Sequence, residues 1–357
     1  YKNANAFLNY NKLYHRIKTE PVYRDLSSDS AQQLLRRLSN NYKSFFSSLN
    51  KGIAARPPRF LKKDGLTTVD FIPRQIRCKN GETRLTLGYQ GERVFNTKYL
   101  YIPFIYLPGK LKLIRIVPKQ HGLYFEVHYV YEIDNVDTRQ STSFLGIDLG
   151  LNNFATCVAT DETAFILEGC GIKSYNRLYN KKLAKLSSEI IRNSSQNKID
   201  KRGKLIYDRN NAMRNMIEKY VNYIVDHCIE HDIGTVIVGE WGDMKRGLRM
   251  RKKTSQMFQQ IPYAKFKRTL ALKCGLMGLN FSLQEESYTS QTCSGCGIIR
   301  KANRVHRGLY RCINSKLELN ADINASINII RKVAPKALCG WGSGQISCPA
   351  RIRILNF

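Results

Sequence analysis

Leu145-Gly146-Ile147-Asp148-Leu149-Gly150 is the stretch on which the reading of this chain turns. It is apolar, too short for a helix and bounded by glycine, which marks a buried strand. Yet it carries an acid at its centre, and an ionised carboxylate there is costly unless it is paired or bound to a cation. Phe154-Ala155-Thr156-Cys157-Val158-Ala159 follows directly and completes a hairpin of buried strands. The same device recurs in Thr235-Val236-Ile237-Val238-Gly239-Glu240, an apolar strand that ends on a carboxylate. A third acid, Asp322, stands just ahead of the periodic Ala325, Ile327, Ile329 and Ile330, where it also favours the dipole of a helix.

Helices are expected between these strands, near Ser174 to Arg192 and Asp208 to His231 with a basic, polar turn between them, and again over Pro262 to Leu276. Ser282 to Ser287 reads as another strand, so residues 143–287 form an α/β domain in which strands alternate with crossover helices. The N-terminal half differs. From Asp25 to Leu49, Ala31, Leu34, Leu35, Leu38, Tyr42, Phe45, Phe46 and Leu49 recur at helical spacing, while Arg36, Arg37 and Lys43 occupy the opposite face. Between Pro57 and Glu132 short alternating strands are separated by Gly, Pro and Asn, the pattern of a small barrel or sandwich. A polar linker, Asp134 to Ser143, separates the halves.

Among the 357 residues, 58 Lys and Arg oppose 28 acids, for a formal charge of +30, which implies a polyanionic partner. The basic residues are spread along the chain and no apolar run approaches about 18 residues, so nucleic acid is expected and a membrane span is not. Cys157, Cys170, Cys228 and Cys274 stand singly in or beside apolar stretches and read as buried, reduced thiols. That usage suits a cytoplasmic protein.

Three acids delivered by the ends of core elements can converge to hold two divalent cations, and their oxygen ligands match Mg²⁺. Two such ions activate water and stabilise the leaving oxygen in phosphodiester hydrolysis. Asp148, Glu240 and Asp322 are therefore the candidate catalytic and Mg²⁺-binding residues.

Gly146-Ile147-Asp148-Leu149-Gly150 with Asn153, Val238-Gly239-Glu240, and Ala321-Asp322-Ile323-Asn324-Ala325-Ser326-Ile327-Asn328-Ile329 resemble, in order, the three RuvC motifs of the TnpB family. So do Thr289-Ser290-Gln291-Thr292-Cys293-Ser294-Gly295-Cys296-Gly297 and the stretch from Ser30 to Leu38. These are transposon-encoded RNA-guided DNA nucleases related to the type V CRISPR effectors. The resemblance implies an α+β N-terminal lobe, with a helical segment at 1–57 and a wedge-type β-barrel at 58–142. It implies an RNase H-like RuvC domain at 143–287, a zinc-ribbon-like insertion at 288–318, a third RuvC motif at 319–334 and a tail at 335–357. It further implies a guide RNA of the omega type, double-stranded target DNA, and a monomer working with its RNA. An unguided resolvase of the RuvC type and a guided, non-cutting repressor are the alternatives; the N-terminal half speaks against the first and the intact acids against the second.

Cys293, Cys296 and Cys312 supply three of the four thiolates of a zinc ribbon. The fourth position, a cysteine in the family pattern, is Ser315, followed by Lys316. Three readings stay open: zinc held by three cysteines with water or His306, a ribbon without metal, or a decayed or engineered site. Basic groups expected to meet phosphates are Arg36, Arg37 and Lys43, then Arg177, Lys181, Lys182 and Lys185 on the first long helix. Lys245, Arg246, Arg249, Arg251, Lys252 and Lys253 form a third group just after Glu240. Tyr10, Tyr14 and Tyr23, interleaved with Lys12, Arg16 and Lys18, suit stacking on unpaired bases as well as they suit a core.

Overall fold

The computed structural model describes residues 9–61, 65–79, 81–105, 109–134, 136–240, 252–306, 308–338 and 349–353. It divides into two compact units, Tyr1–Asp134 and Asn135–Phe357.

The first unit opens with α1 (Tyr10–Ile17), α2 (Pro21–Arg24) and α3 (Ser28–Asn50). Helix α3 starts three residues later than its periodicity suggests because Ser27 is its cap, accepting from the Ser30 amide. Its buried Ala31, Leu35 and Phe45 fall on the expected apolar face. Strands β1 (Val69–Phe71), β2 (Ile76–Lys79), β3 (Glu82–Thr86), β4 (Tyr99–Pro103), β5 (Lys110–Lys119) and β6 (Tyr124–Glu132) follow. They pair as two antiparallel sheets, β1-β5-β6 and β2-β3-β4, on one core of Phe71, Ile76, Leu85 and Ile114. A short α4 (Tyr89–Phe95) between β3 and β4 has no buried residue, so it left no apolar period to read.

Asp70 ties helix to sheet. Its carboxylate takes Arg37 at 2.8 Å and Arg115 at 2.7 Å, and its carbonyl accepts from Ser30 Oγ at 3.0 Å. Burial alone would push the Asp70 carboxyl up, but the guanidinium bonds from Arg115 and Arg37 outweigh it and hold it below the ordinary carboxylate range.

The second unit is built on β7 (Phe144–Leu149), β8 (Asn153–Ala159), β9 (Ala164–Glu168), β10 (Thr235–Glu240) and β11 (Asn280–Glu285). Helices α5 (Cys170–Arg192), α6 (Gln196–Glu230), α7 (Lys252–Gln259) and α8 (Tyr263–Leu276) lie between them in sequence. A cysteine module with β12 (Arg304–His306), β13 (Leu309–Arg311) and β14 (Glu318–Leu319) precedes α9 (Ala321–Val333), and β15 (Ala350–Ile352) comes last. The sheet order is β11-β10-β7-β8-β9-β15. Strands β7, β8 and β9 form an antiparallel meander, while β10 and β11 join in parallel beside β7. This is the mixed α/β architecture the sequence predicts.

Helix α6 begins after only three intervening residues, 193–195, far ahead of the expected Asp208, because residues 196–207 are helical without an apolar stripe. One face of the sheet is sealed by Met213, Ile217, Val221, Ile224 and Val225 of α6 and Phe266 and Leu270 of α8. The other face receives α9, whose Ile323, Ile327 and Ile330 pack on Val158. Gly146 permits this: a Cβ there would lie 2.5 Å from the Ser326 carbonyl and 2.6 Å from Ile330. Ser326 closes the contact by donating to the Thr156 carbonyl at 2.8 Å. In the C-terminal tail, β15 extends the sheet beside β9, with Arg353 on Glu168 at 2.8 Å. Three residues are too few to show a strand pattern, so this edge was invisible in the sequence. Cys157, Cys228 and Cys274 are buried free thiols as expected, whereas Cys170 is half-buried and donates to Glu168.

Candidate active site

Residues alternate sides along β7. Leu145, Ile147 and Leu149 enter the core under α6 and α8, which turns Gly146 and Asp148 toward α9. Asp148 lies deep among protein atoms yet keeps partial access to solvent. Its carboxyl is pushed well above the ordinary carboxylate range, first by burial, then by the charges of Glu286 and Asp322, with the Arg304 guanidinium opposing.

Asp322 sits in the first turn of α9, where the Asn320 cap accepts from its amide at 2.9 Å. Its carboxylate accepts from Asn153 at 2.8 Å and faces Arg304 at 3.5 Å. The loop between Asp148 and Asn153 is fixed from below, since the Tyr263 hydroxyl donates to the Gly150 carbonyl at 2.7 Å and its ring stacks on Phe154. Asp148 and Asp322 are thus brought together by a strand and a helix that share a rigid core.

Glu240 is placed differently. Val236 and Val238 enter the α6–α8 core, and Glu240, two residues on, stays on that side and accepts from Lys267 of α8 at 3.0 Å. It stands at the end of the strand next to Asp148, on the other side of the sheet's edge from Asp322 in this structure.

Glu286, which the sequence reading passed over, lies one residue beyond β11. Its amide donates to the Glu240 carbonyl at 3.2 Å. Its carboxyl covers Gly239: a Cβ at 239 would come within 2.6 Å of Glu286 Cδ and collide with Oε1, an oxygen that is itself buried. Continuing the Val238–Ile147 register puts Gly239 beside Asp148, so this carboxyl occupies the Asp148 side. Oxygen donors in a confined, partly solvated site are the set that hard divalent cations prefer, and these residues fit Mg²⁺.

The cysteine module stands against α9. The ligand atoms of Cys293, Cys296 and Cys312 all lie within 4.8 Å of one another. Ser315 Oγ is 3.2 Å from Cys293 Sγ, so it occupies the fourth corner of the cluster, and the Cys312 thiol is brought down to about 6, chiefly by the Ser315 hydrogen bond. The three thiols fit zinc, and Ser315 is a weak fourth donor. His306 lies outside the cluster, accepting from the Gly308 amide at 3.1 Å. Asn324 and Asn328 of α9 donate to the Thr289 and Thr292 carbonyls, and Asn324 accepts from the Ser294 amide, which clamps the module to the helix that carries Asp322.

The basic groups divide. Arg177, Lys181, Lys182 and Lys185 are exposed on α5, and Lys43 is exposed on α3. Arg36 stacks over Tyr10 at 4.9 Å, and Tyr10 stacks with Tyr14. Arg37 corrects the expectation of a phosphate contact: it is turned onto the sheet, bonded to Asp70 and to the Thr68 carbonyl at 2.9 Å. Lys245, Arg246, Arg249 and Arg251 lie outside the described residues, as do the side chains of Lys252 and Lys253.

A mixed sheet with carboxylates gathered at its central strand, followed by a cysteine module and a capped helix, is the class of architecture that the nuclease motifs call for. Residues 128–245 match the family described as "Probable transposase", and residues 263–329 match the "Cas12f1-like, TNB domain". The chain is 25% identical over 347 residues to the CRISPR-associated endodeoxyribonuclease Cas12f1 of Sulfoacidibacillus thermotolerans, covering 88% of this chain and 79% of that protein. It is 24% identical over 331 residues to the protein named "Putative RNA-guided DNA endonuclease InsQ" of Escherichia coli (strain K12), covering 89% of this chain and 77% of that protein. The fold resembles a Cas12f1 solved in a Cas12f1-sgRNA-target DNA complex, with a TM-score of 0.53 at 15% identity over 84% of this chain and 70% of that one. These similarities bear out the TnpB resemblance read from the motifs.

Proposed function

We propose that this protein is an RNA-guided DNA endonuclease of the TnpB type, acting in the cytoplasm on target DNA paired to a guide RNA. The observation that carries the reading is the meeting of Asp148 and Asp322 at the central strand, within a chain that aligns over most of the length of relatives named as guided or CRISPR-associated nucleases. The charge of +30 suits two nucleic-acid partners. No described helix is long and apolar enough to cross a membrane.

Asp148 and Asp322 would hold Mg²⁺, and Glu240, bonded to Lys267 on the α8 side in this structure, would have to turn from that lysine to join them. When bound, such ions activate the attacking water and stabilise the leaving oxygen. The protein's own part is positional. Gly146 lets α9 approach, the Asn320 cap and Asn153 orient Asp322, and Tyr263 fixes the loop after Asp148. Arg304, facing Asp322 at 3.5 Å, offsets the acids' mutual repulsion. In the first unit, the paired antiparallel sheets and the preceding helices would serve as the wedge barrel and helical segment that hold the guide RNA and read the short motif beside the target. Zinc would be held by Cys293, Cys296 and Cys312.

The test is to express the full-length protein with its native transcript and sequence the RNA that survives a high-salt wash. One structured RNA ending in a variable segment supports the guided reading. Heterogeneous RNA, or none, moves the function to an unguided resolvase.

A further inference from the structure

The sheet edge beside Asp148 holds a carboxylate that the three motif acids do not account for. We propose that Glu286 is a fourth metal-holding carboxylate of the nuclease centre, admitted to the Asp148 side of the sheet because Gly239 has no side chain. The proposal rests on the nuclease reading above and assigns that centre a further residue.

Three observations converge. First, strand pairing delivers Glu286 to this place. β11 runs in parallel beside β10, with Gly239 opposite Gln284 and Glu240 opposite Glu285, and the Glu286 amide is bonded to the Glu240 carbonyl. Second, the space is built for it. Gly239 is the penultimate residue of β10, and a glycine in a strand often marks the close approach of another group. Here that group is the Glu286 carboxyl, whose Cδ would stand 2.6 Å from any Cβ at 239. Third, the acids gather on one side. Among the described residues, Glu286 and Asp322 both act on the Asp148 carboxyl, with Arg304 opposing them. Carboxylate oxygens brought together in this way are the donors that a hard divalent ion takes. Glu240 meanwhile is engaged by Lys267.

Glu286→Gln keeps the shape and removes the charge. The full-length chain, stripped of nucleic acid in high salt, is titrated with Mn²⁺ by calorimetry, and the RNA-loaded protein is assayed for cleavage across a Mg²⁺ series. Glu286→Gln is expected to weaken Mn²⁺ binding about tenfold or more and to raise the Mg²⁺ needed for half-maximal cleavage. Gly239→Ala keeps every acid but displaces the Glu286 carboxyl, and it is expected to weaken Mn²⁺ binding in the same direction. Melting temperatures near wild type exclude misfolding as the cause, and Gly239→Ala carries the test if Glu286→Gln fails to fold. Mn²⁺ affinity unchanged in Glu286→Gln and Gly239→Ala, while Asp148→Asn loses it, overturns the role of Glu286 and leaves the nuclease reading standing. Mn²⁺ affinity unchanged in Asp148→Asn as well overturns both.

Discussion

The carboxylate site and the cysteine cluster both lean on α9, one through Asp322 and the other through Ala321, which packs with Cys293, Tyr310 and Cys312. They are held very differently. Asp148 and Asp322 come from long elements whose neighbours are fully buried on both faces of a six-stranded sheet. The thiols come from turns and strands of two or three residues, pinned to α9 by two asparagines. Asp148 and Asp322 are therefore held in place by core packing, whereas the cysteine cluster has three strong donors and a serine, so its order depends on what it binds.

That contrast can be broken or sharpened by substitution. The largest effect is expected for Asp148→Asn, which should lower DNA cleavage by about three orders of magnitude while RNA retained after a high-salt wash stays within about twofold, because no basic surface is touched. A similar loss of RNA would show that Asp148 holds the fold rather than the chemistry. Gly146→Val comes next. It drives a side chain into the Ser326 carbonyl and Ile330 and should destabilise the protein by about 1–3 kcal/mol in denaturant titration, with cleavage falling because α9 carries Asp322. Ser315→Cys tests the other side of the comparison: zinc content, read by elemental analysis, should rise toward one ion per chain, with a higher melting temperature. Unchanged zinc would mean that the serine is not the missing corner.

The smallest effect is a control outside both clusters. Burial, followed by the neighbouring His231, holds the His227 imidazole down to about 4 from its ordinary 6.5, with Asp161 opposing. A depressed histidine binds protons more weakly when folded, so its contribution is intact above about pH 6.5 and is lost as the pH falls toward 4. His227→Gln, which can still meet Thr163, should flatten the melting temperature over that window and leave cleavage unchanged.

The sequence disclosed what lies on one strand or helix and concealed what depends on pairing. Asp148 and Asp322 were legible because each interrupts or precedes an apolar pattern, and Gly146 because it belongs to the same motif. Glu286 was not, since within the strand read over Ser282 to Ser287 nothing sets it apart and its meaning comes from Gly239 on the adjacent strand. Arg37 misled for a related reason: it lies off the apolar face of α3, but Asp70, more than 30 residues away, draws it inward. The extra length of α6 and the edge strand β15 were hidden because neither carries a periodic apolar signal. The N-terminal strands were foreseen as a set, while their division into two sheets follows from registers that composition does not encode.

The most direct test of the account is to reprogram the cut. The protein is loaded with two RNAs that differ only in their variable segment and given linear DNA carrying both matching sites in Mg²⁺. Each complex is expected to cut only at its own match, and Asp148→Asn at neither. Cleavage at the same positions with either RNA, or undiminished cleavage by Asp148→Asn, would contradict it.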